Sequence, residues 1–449
     1  MSVAEPEIVV TEPERSIDRA SALDVMQLSS DAGAVPNQVG AVLGLDARGG
    51  FDADGTVALL GERIQRIPRL RQRLVRVPAG YGRPIWVDDP RFDLTRHVSV
   101  VEAPTGDDDA VLEIAAARVT TPLSMSRPLW SATFVTGPAD EQVALIVVFH
   151  HVLADGLGGL AVLAHLLDGP AGAPDPRGFP QPPPTGQQLR ADARQAHLAW
   201  LRHVPTRFPS LRAAARELDL TRTRPAPRTS LNRPTGPRRR LTSVRTDLAT
   251  VRDVAHAADA TINDVVLTAV AGALGRFLLT RGERVDEVVV SVPVAPTIAD
   301  AAGPGNRGGV FPLRLPTGGR PDQRLRTVAA ATRARKQATR GASAALLAPL
   351  FRFLHAVGVL RWFIDHQRMV TTFVTNLAGP PEPVTLGGLP VVDMRAVSLA
   401  TGNVTVAFAV LSYAGTLTVT IGADPDHVDD LDTLRLALRD ELRNLTASR

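Results

Sequence analysis

Two adjacent histidines, His150 and His151, end the apolar run Val143-Ala144-Leu145-Ile146-Val147-Val148-Phe149 and are followed by Val152-Leu153-Ala154-Asp155-Gly156. An imidazole near neutral pH can take a proton from a substrate hydroxyl and hand it on. Asp155 can anchor the adjoining turn, and Gly156, lacking a Cβ, leaves room beside the ring. A histidine at a strand end can equally be a structural residue held by its neighbours. The paired histidines, an acid at fixed offset and the glycine-rich continuation Gly156, Gly158 and Gly159 are the features that point to chemistry.

The run before the histidines is rich in β-branched residues and reads as a buried strand, which would present both imidazoles at its carboxyl end. Gly156 to Leu167 carries the periodic leucines of a short helix. Around these the sequence predicts a strand near Val39 to Leu45, helices over Asp54 to Ile67 and Ala110 to Val119, and a helix from Ile262 to Leu279. It further predicts a strand over Val288 to Val294 and a hairpin of Val404 to Leu411 with Thr416 to Ile421 about Ser412-Tyr413-Ala414-Gly415. Strands mixed with helices in both halves predict an α/β protein of two lobes.

The seven residues match the HHxxxDG signature of the CoA-dependent acyltransferase and condensation-domain superfamily. Further landmarks are Phe92-Asp93-Leu94 before His97, Arg127-Pro128-Leu129-Trp130, Thr261-Ile262-Asn263-Asp264, Val292-Pro293-Val294, Gly305-Asn306 and Thr375-Asn376-Leu377-Ala378-Gly379-Pro380. With these in order, the chain from about Ser21 onward resembles the bacterial wax ester synthase/acyl-CoA:diacylglycerol acyltransferase family. The resemblance implies two chloramphenicol-acetyltransferase-like lobes, each a mixed sheet with helices, with an active-site tunnel between them. It implies an O-acyltransferase that moves a long-chain acyl group from acyl-CoA to diacylglycerol, making triacylglycerol, with long-chain alcohols as second acceptors giving wax esters.

By that resemblance His151 is the general base and His150 supports its loop, while Asp155 orients the turn, through an arginine salt bridge or by touching His151. Gly156 gives the tunnel room. Asn263 lies across the tunnel as an oxyanion donor, with helix capping as its alternative role. Asp264 and Trp130 are candidate substrate contacts, although the Pro128-Leu129-Trp130 segment also suits shaping the lobe. No metal site or cofactor is expected, acyl-CoA being a substrate. Two departures bear on acceptor choice. The strand Val292-Pro293-Val294 continues as Ala295-Pro296-Thr297 where Ser-x-Arg is frequent, and Leu377-Ala378 stand where valine and proline are frequent. The competing readings are a condensation-type acyltransferase with a carrier-bound donor and a non-catalytic lipid-surface protein.

The chain's 449 residues, 44% hydrophobic and 21% charged, suit two globular lobes. Cysteine is absent, which removes thiolate nucleophiles and disulfides. Residues 1–20 read as a disordered leader, 21–180 as the first lobe, 181–240 as an arginine-rich crossover and 241–449 as the second lobe. Residues 181–240 hold thirteen arginines against Asp192, Glu217 and Asp219, a field that suits CoA phosphates or an anionic membrane, or is simply a solvated face. Nucleic acid is a poorer fit, for want of a reading motif and stacking residues. No apolar run is expected to reach the ~20 residues that span a bilayer. Leu346 to Val370 reads as one amphipathic helix, packed on the core or lying in an interface. The expected location is cytoplasmic, peripheral to membrane or lipid inclusions.

Overall fold

The computed structural model describes residues 17–31, 33–105, 107–137, 141–154, 156–169, 178–203, 224–294, 309–336 and 344–447. Much of the expected leader, Asp155, the loop containing Ala295-Pro296-Thr297 and Gly305-Asn306, and residues 204–223 of the arginine-rich stretch lie outside them.

Two six-stranded mixed sheets organise the described chain, with helices against both. The first contains β1 (Gln38–Asp46), β4 (Val98–Glu102), β5 (Trp130–Thr136), β6 (Gln142–His150), β11 (Thr385–Leu386) and β12 (Leu389–Ser398), in the order β11-β12-β1-β6-β5-β4. The second contains β7 (Arg240–Asp247), β8 (Glu287–Val294), β9 (Gly309–Pro316), β10 (Thr372–Ala378), β13 (Val406–Tyr413) and β14 (Thr416–Ala423), in the order β7-β14-β13-β10-β8-β9. A small pair, β2 (Gln72–Val75) with β3 (Ile85–Asp88), stands apart.

Strand β6 explains why its sequence is apolar without alternation. Val143, Leu145, Val147 and Phe149 join one core cluster, which includes Leu60 and Ile64 of α2 (Ala53–Ile64). Ala144, Ile146 and Val148 face the opposite way, onto Leu112, Ala115 and Val119 of α3 (Asp108–Thr120). A strand covered on both faces needs apolar residues at every position, and its end is a rigid platform for the histidine-bearing turn.

The division expected at residue 241 is not the division between the sheets. β12 comes from the C-terminal half, yet pairs antiparallel with β1 from Val39↔Ser398 onward, inside the first sheet. Asp168 ties the turn before β12 to the first lobe, accepting Thr385 Oγ1–H at 2.6 Å and the N–H groups of Gly387 and Gly388 at 2.9 and 2.8 Å, with Arg63 beside it. Burial pushes this carboxyl up, but those four partners outweigh it and hold Asp168 well below the usual carboxylate range. Ala409, Leu411 and Tyr413 of β13 also pack into the first lobe's core, so the two lobes share apolar contacts.

After α5 (Gly186–His203), α6 (Leu248–Ala257) in the second lobe leads to α7 (Ile262–Thr280), with the latter capped by Thr261 and nearly encased. Among the described residues, α7 is by length and composition the one helix that could cross a membrane, contrary to the expectation that no segment approaches this. It is instead the core helix of its lobe, packed between α8 (Pro321–Lys336) and α11 (Leu431–Ala447). The predicted helix over Leu346 to Val370 is two helices, α9 (Ala344–Ala356) and α10 (Leu360–His366). Gly358 breaks it with φ of 75°, a conformation glycine adopts without the penalty that a Cβ imposes.

Candidate active site

The histidine motif is assembled where β6 ends and α4 (Gly156–Leu166) begins. His150 is 2% exposed and fixed at both ring nitrogens. Its Nδ1 accepts the Val152 N–H at 3.1 Å, so the proton sits on Nε2, which donates to Asp31 at 3.2 Å. Burial raises the Asp31 carboxyl, but its hydrogen bonds from His150 and the Asn37 N–H outweigh that and leave it below the ordinary value. A ring so engaged orients the turn and has no nitrogen left for substrate.

His151 is half-buried in the turn, its backbone N–H donating to the Asn37 carbonyl at 2.9 Å. Asn37 in turn gives its N–H to Asp31 and its side-chain amide to Gln27 Oε1 at 2.8 Å. Gln27 belongs to α1 (Ala22–Ser30), so the end of this helix and the loop before β1 hold both histidines in place. Sequence reasoning missed these bracing residues. Their polar side chains carry no pattern, and Asp31 lies 119 positions from His150.

Trp130, a candidate substrate contact, is placed inside the first lobe. It is 2% exposed, donates Nε1–H to the Leu70 carbonyl at 2.7 Å and stacks on His97 with ring centres 4.6 Å apart. His97 gives Nδ1–H to the Trp130 carbonyl at 2.8 Å and stacks on Phe92. Burial above all, offset in part by that hydrogen bond, lowers the His97 pKa, which suits a neutral ring in a packed stack. Adjacent Leu129 accepts the His150 N–H at 3.0 Å. The Pro128-Leu129-Trp130 landmark thus supports the histidine turn through the backbone.

Asp264 is 2% exposed, and both its carboxylate oxygens are engaged. One accepts the Thr261 N–H and hydroxyl at 2.8 Å, completing a capping box, and the other accepts Thr332 Oγ1–H at 2.7 Å from α8. The structure does not bring it to a substrate surface. Asn263 is different. It is not the cap, it is half-buried, and its Oδ1 accepts Asn376 Nδ2–H from β10 at 3.2 Å. That bond uses its acceptor and orients its own –NH2, so two landmarks 113 residues apart meet.

The lobes also meet at Gly156. A Cβ built there would stand 3.0 Å from Leu377 Cδ2, the residue after Asn376. The room given by the glycine is therefore filled by a side chain of the second lobe. An apolar cavity of about 390 Å³ begins beside it, lined by Leu157, Leu160, Ala161 and Ala164 of α4, by Pro380 and by Met394. Gly156→Val should lower kcat/KM roughly ten- to hundredfold, since a misplacement near 1 Å at a reacting centre costs about that. Leu377→Ala in the same chain should restore a large part. Kinetics of the two single variants and the double variant check this, and additive losses would show the contact to be irrelevant.

Among the described residues no group of three or more His, Asp or Glu side chains converges as metal ligands would. Of the arginine-rich stretch, Arg239 is buried against the Ala400 carbonyl, and Arg228 and Arg233 line a polar cavity.

Residues 20–266 match the model of the wax ester synthase/diacylglycerol acyltransferase catalytic domain, and residues 304–446 match that family's C-terminal domain. A Mycobacterium tuberculosis protein named "Probable diacyglycerol O-acyltransferase tgs1" is 33% identical over 415 residues, covering 88% of each chain. The solved wax ester synthase/diacylglycerol acyltransferase of Marinobacter aquaeolei VT8 superposes with a TM-score of 0.68 at 21% identity, covering 96% of this chain and 98% of that one. A starter condensation domain of rhizomide synthetase in complex with C8-CoA has the same fold, with a TM-score of 0.60 at 18% identity, covering 96% and 94%. The two-lobed α/β fold expected from the motif is the fold found. The chain belongs to the wax ester synthase/diacylglycerol acyltransferase family.

Proposed function

We infer that this protein transfers a long-chain acyl group from acyl-CoA to the free hydroxyl of diacylglycerol, and to long-chain alcohols as second acceptors, at the surface of a membrane or lipid inclusion. The observation that carries the reading is the junction at Gly156. There the start of α4, just after the turn bearing His151, meets Leu377, next to the Asn376–Asn263 pair, and the adjoining Leu157 and Ala378 line an apolar cavity. The mycobacterial relative's name supports diacylglycerol as acceptor, and the matched family models favour this reading over a carrier-bound donor.

His151 accepts the acceptor's hydroxyl proton as that oxygen attacks the thioester carbonyl. The tetrahedral intermediate expels the CoA thiolate, which takes the proton back from the imidazolium. Asn263, with its oxygen held by Asn376, offers its –NH2 to the oxyanion. His150 and Asp31 are positioning residues. A thioester is already activated, so no covalent enzyme intermediate is required, in keeping with a chain that has no cysteine.

The test is release of free CoA from palmitoyl-CoA by the full-length protein, offered dioleoylglycerol and hexadecanol separately, with lipid products resolved. Ester formation that depends on the acceptor is the expected result, with triacylglycerol the larger product. No turnover with either acceptor would sink the proposal.

A further inference from the structure

The broken amphipathic segment presents its large apolar side chains outward. On α9, Leu350 and Phe353 are exposed three positions apart, Phe353 at 63%, and Val357 just after the helix is exposed too. Across the Gly358 break, Val359, Trp362 at 65% exposure and Met369 are exposed as well. The other side of the segment is satisfied, because Leu360 is buried, Phe351 and Phe363 meet edge to face at 6.2 Å, and α9 packs on α1. Large apolar groups exposed together along one short segment mark a docking site rather than scattered surface residues.

The charge on this surface has one predominant sign. Exposed Arg352, Arg361 and Arg368 lie among the apolar residues, and the segment's one carboxylate, Asp365, is 3.5 Å from Arg361. Beyond α10 opens a polar cavity of about 640 Å³, where Arg228, Arg233 and Arg368 stand beside Glu283 and Asp365. Aromatic and aliphatic side chains flanked by arginines suit the boundary between headgroups and acyl chains. There the apolar groups leave water, and the guanidinium groups stay at the level of the phosphates.

We propose that the α9–α10 face docks the protein on an anionic phospholipid bilayer, with Phe353 and Trp362 inserted below the headgroups. This rests on the reading that the acceptor is a bilayer-dissolved diacylglycerol, which the enzyme must meet at a membrane surface. The placement also has a structural consequence. α9 lies on α1, and α1 with the residues after it holds Asn37 and His150 through Gln27 and Asp31. The docked face is therefore one helix away from the turn that carries His151.

The experiment uses the full chain with sucrose-loaded vesicles of phosphatidylcholine, with and without phosphatidylglycerol. Wild-type protein should sediment about tenfold more readily with the anionic vesicles. Phe353→Ser with Trp362→Ser should reduce that partition about tenfold or more, while turnover of a water-soluble acyl-CoA with hexanol stays unchanged. In a Trp200→Phe background, where Trp86 and Trp130 are buried, brominated phosphatidylcholine should quench Trp362 fluorescence on binding. This second readout does not depend on the folding of the serine variant.

Unaltered sedimentation of the double variant, or absence of quenching, overturns the proposal. So does a dimer that the same substitutions dissociate without lipid, since the face would then join two copies of the chain. Vesicle binding that depends on Phe353 and Trp362 without turnover of any acceptor would instead overturn the acyl-transfer reading and leave the docking face standing.

Discussion

His151→Ala is expected to lower kcat by about 10²–10⁴, the usual contribution of a positioned general base, with little change in the KM for acyl-CoA. The structural reason for so clean an effect is that His151 and His150 do separate work. His150 is locked between the Val152 N–H and Asp31, and the His151 backbone is held by Asn37, so the turn keeps its shape when the His151 imidazole is removed. The acid limb that a general base imposes on the pH–rate profile should be lost with the base. Asp31→Asn, by contrast, should produce a smaller loss and keep that limb, since it loosens the turn without removing the base. Measurement of kcat and KM across pH for both variants decides between them. A His151→Ala enzyme with near-wild-type kcat would refute the assignment.

The histidine turn was legible in the sequence because each of its determinants is local: a doubly buried strand, two histidines and a glycine within seven positions. Helix α7 was legible for a similar reason, its apolar run being continuous, although its cap is Thr261, paired with Asp264 in a capping box, and not the Asn263 that the sequence offered. The features that could not be read depend on pairing over long distances. β12 joins β1 across some 350 positions of chain, and no periodicity within Leu389–Ser398 tells which sheet will accept it. Asp31, Asn37 and Gln27 support the active turn through hydrogen bonds that polar residues can make almost anywhere. The α9–α10 segment lies between these cases. Its apolar stripe was plain, and Gly358 was available as a break signal, but which face would be covered depended on α1, more than 300 residues upstream.

Glu441→Gln is expected to destabilise the protein by about 3–5 kcal/mol, the cost of removing one partner from a buried ion pair. Glu441 on α11 and Arg324 on α8 are 2% and 3% exposed and pair directly over α7. Burial lowers the Arg324 pKa, opposed by Glu441, so the guanidinium depends on this one carboxylate for its charge to be tolerated there. Arg276, 2.8 Å from the same carboxylate, is half-exposed and can turn to water, whereas Arg324 cannot. The pair passes α7 at Gly272, where a Cβ would stand 2.5 Å from both Arg324 Nη2 and Glu441 Oε2, so even an alanine would collide with it.

The urea midpoint should fall in Glu441→Gln and recover much of its value when Arg324→Met is combined with Glu441→Leu, because a packed apolar pair can replace a buried ionic one. Activity per folded molecule should hardly change. Asn263 lies nine residues before Gly272 on α7, roughly 14 Å along a helix rising about 1.5 Å per residue, and its own tether is Asn376 rather than the ion pair. A loss of kcat without loss of stability would mean instead that the Arg324–Glu441 pair sets the position of Asn263 over the site. The catalytic geometry of the second lobe would then depend on the packing of α7 along its whole length.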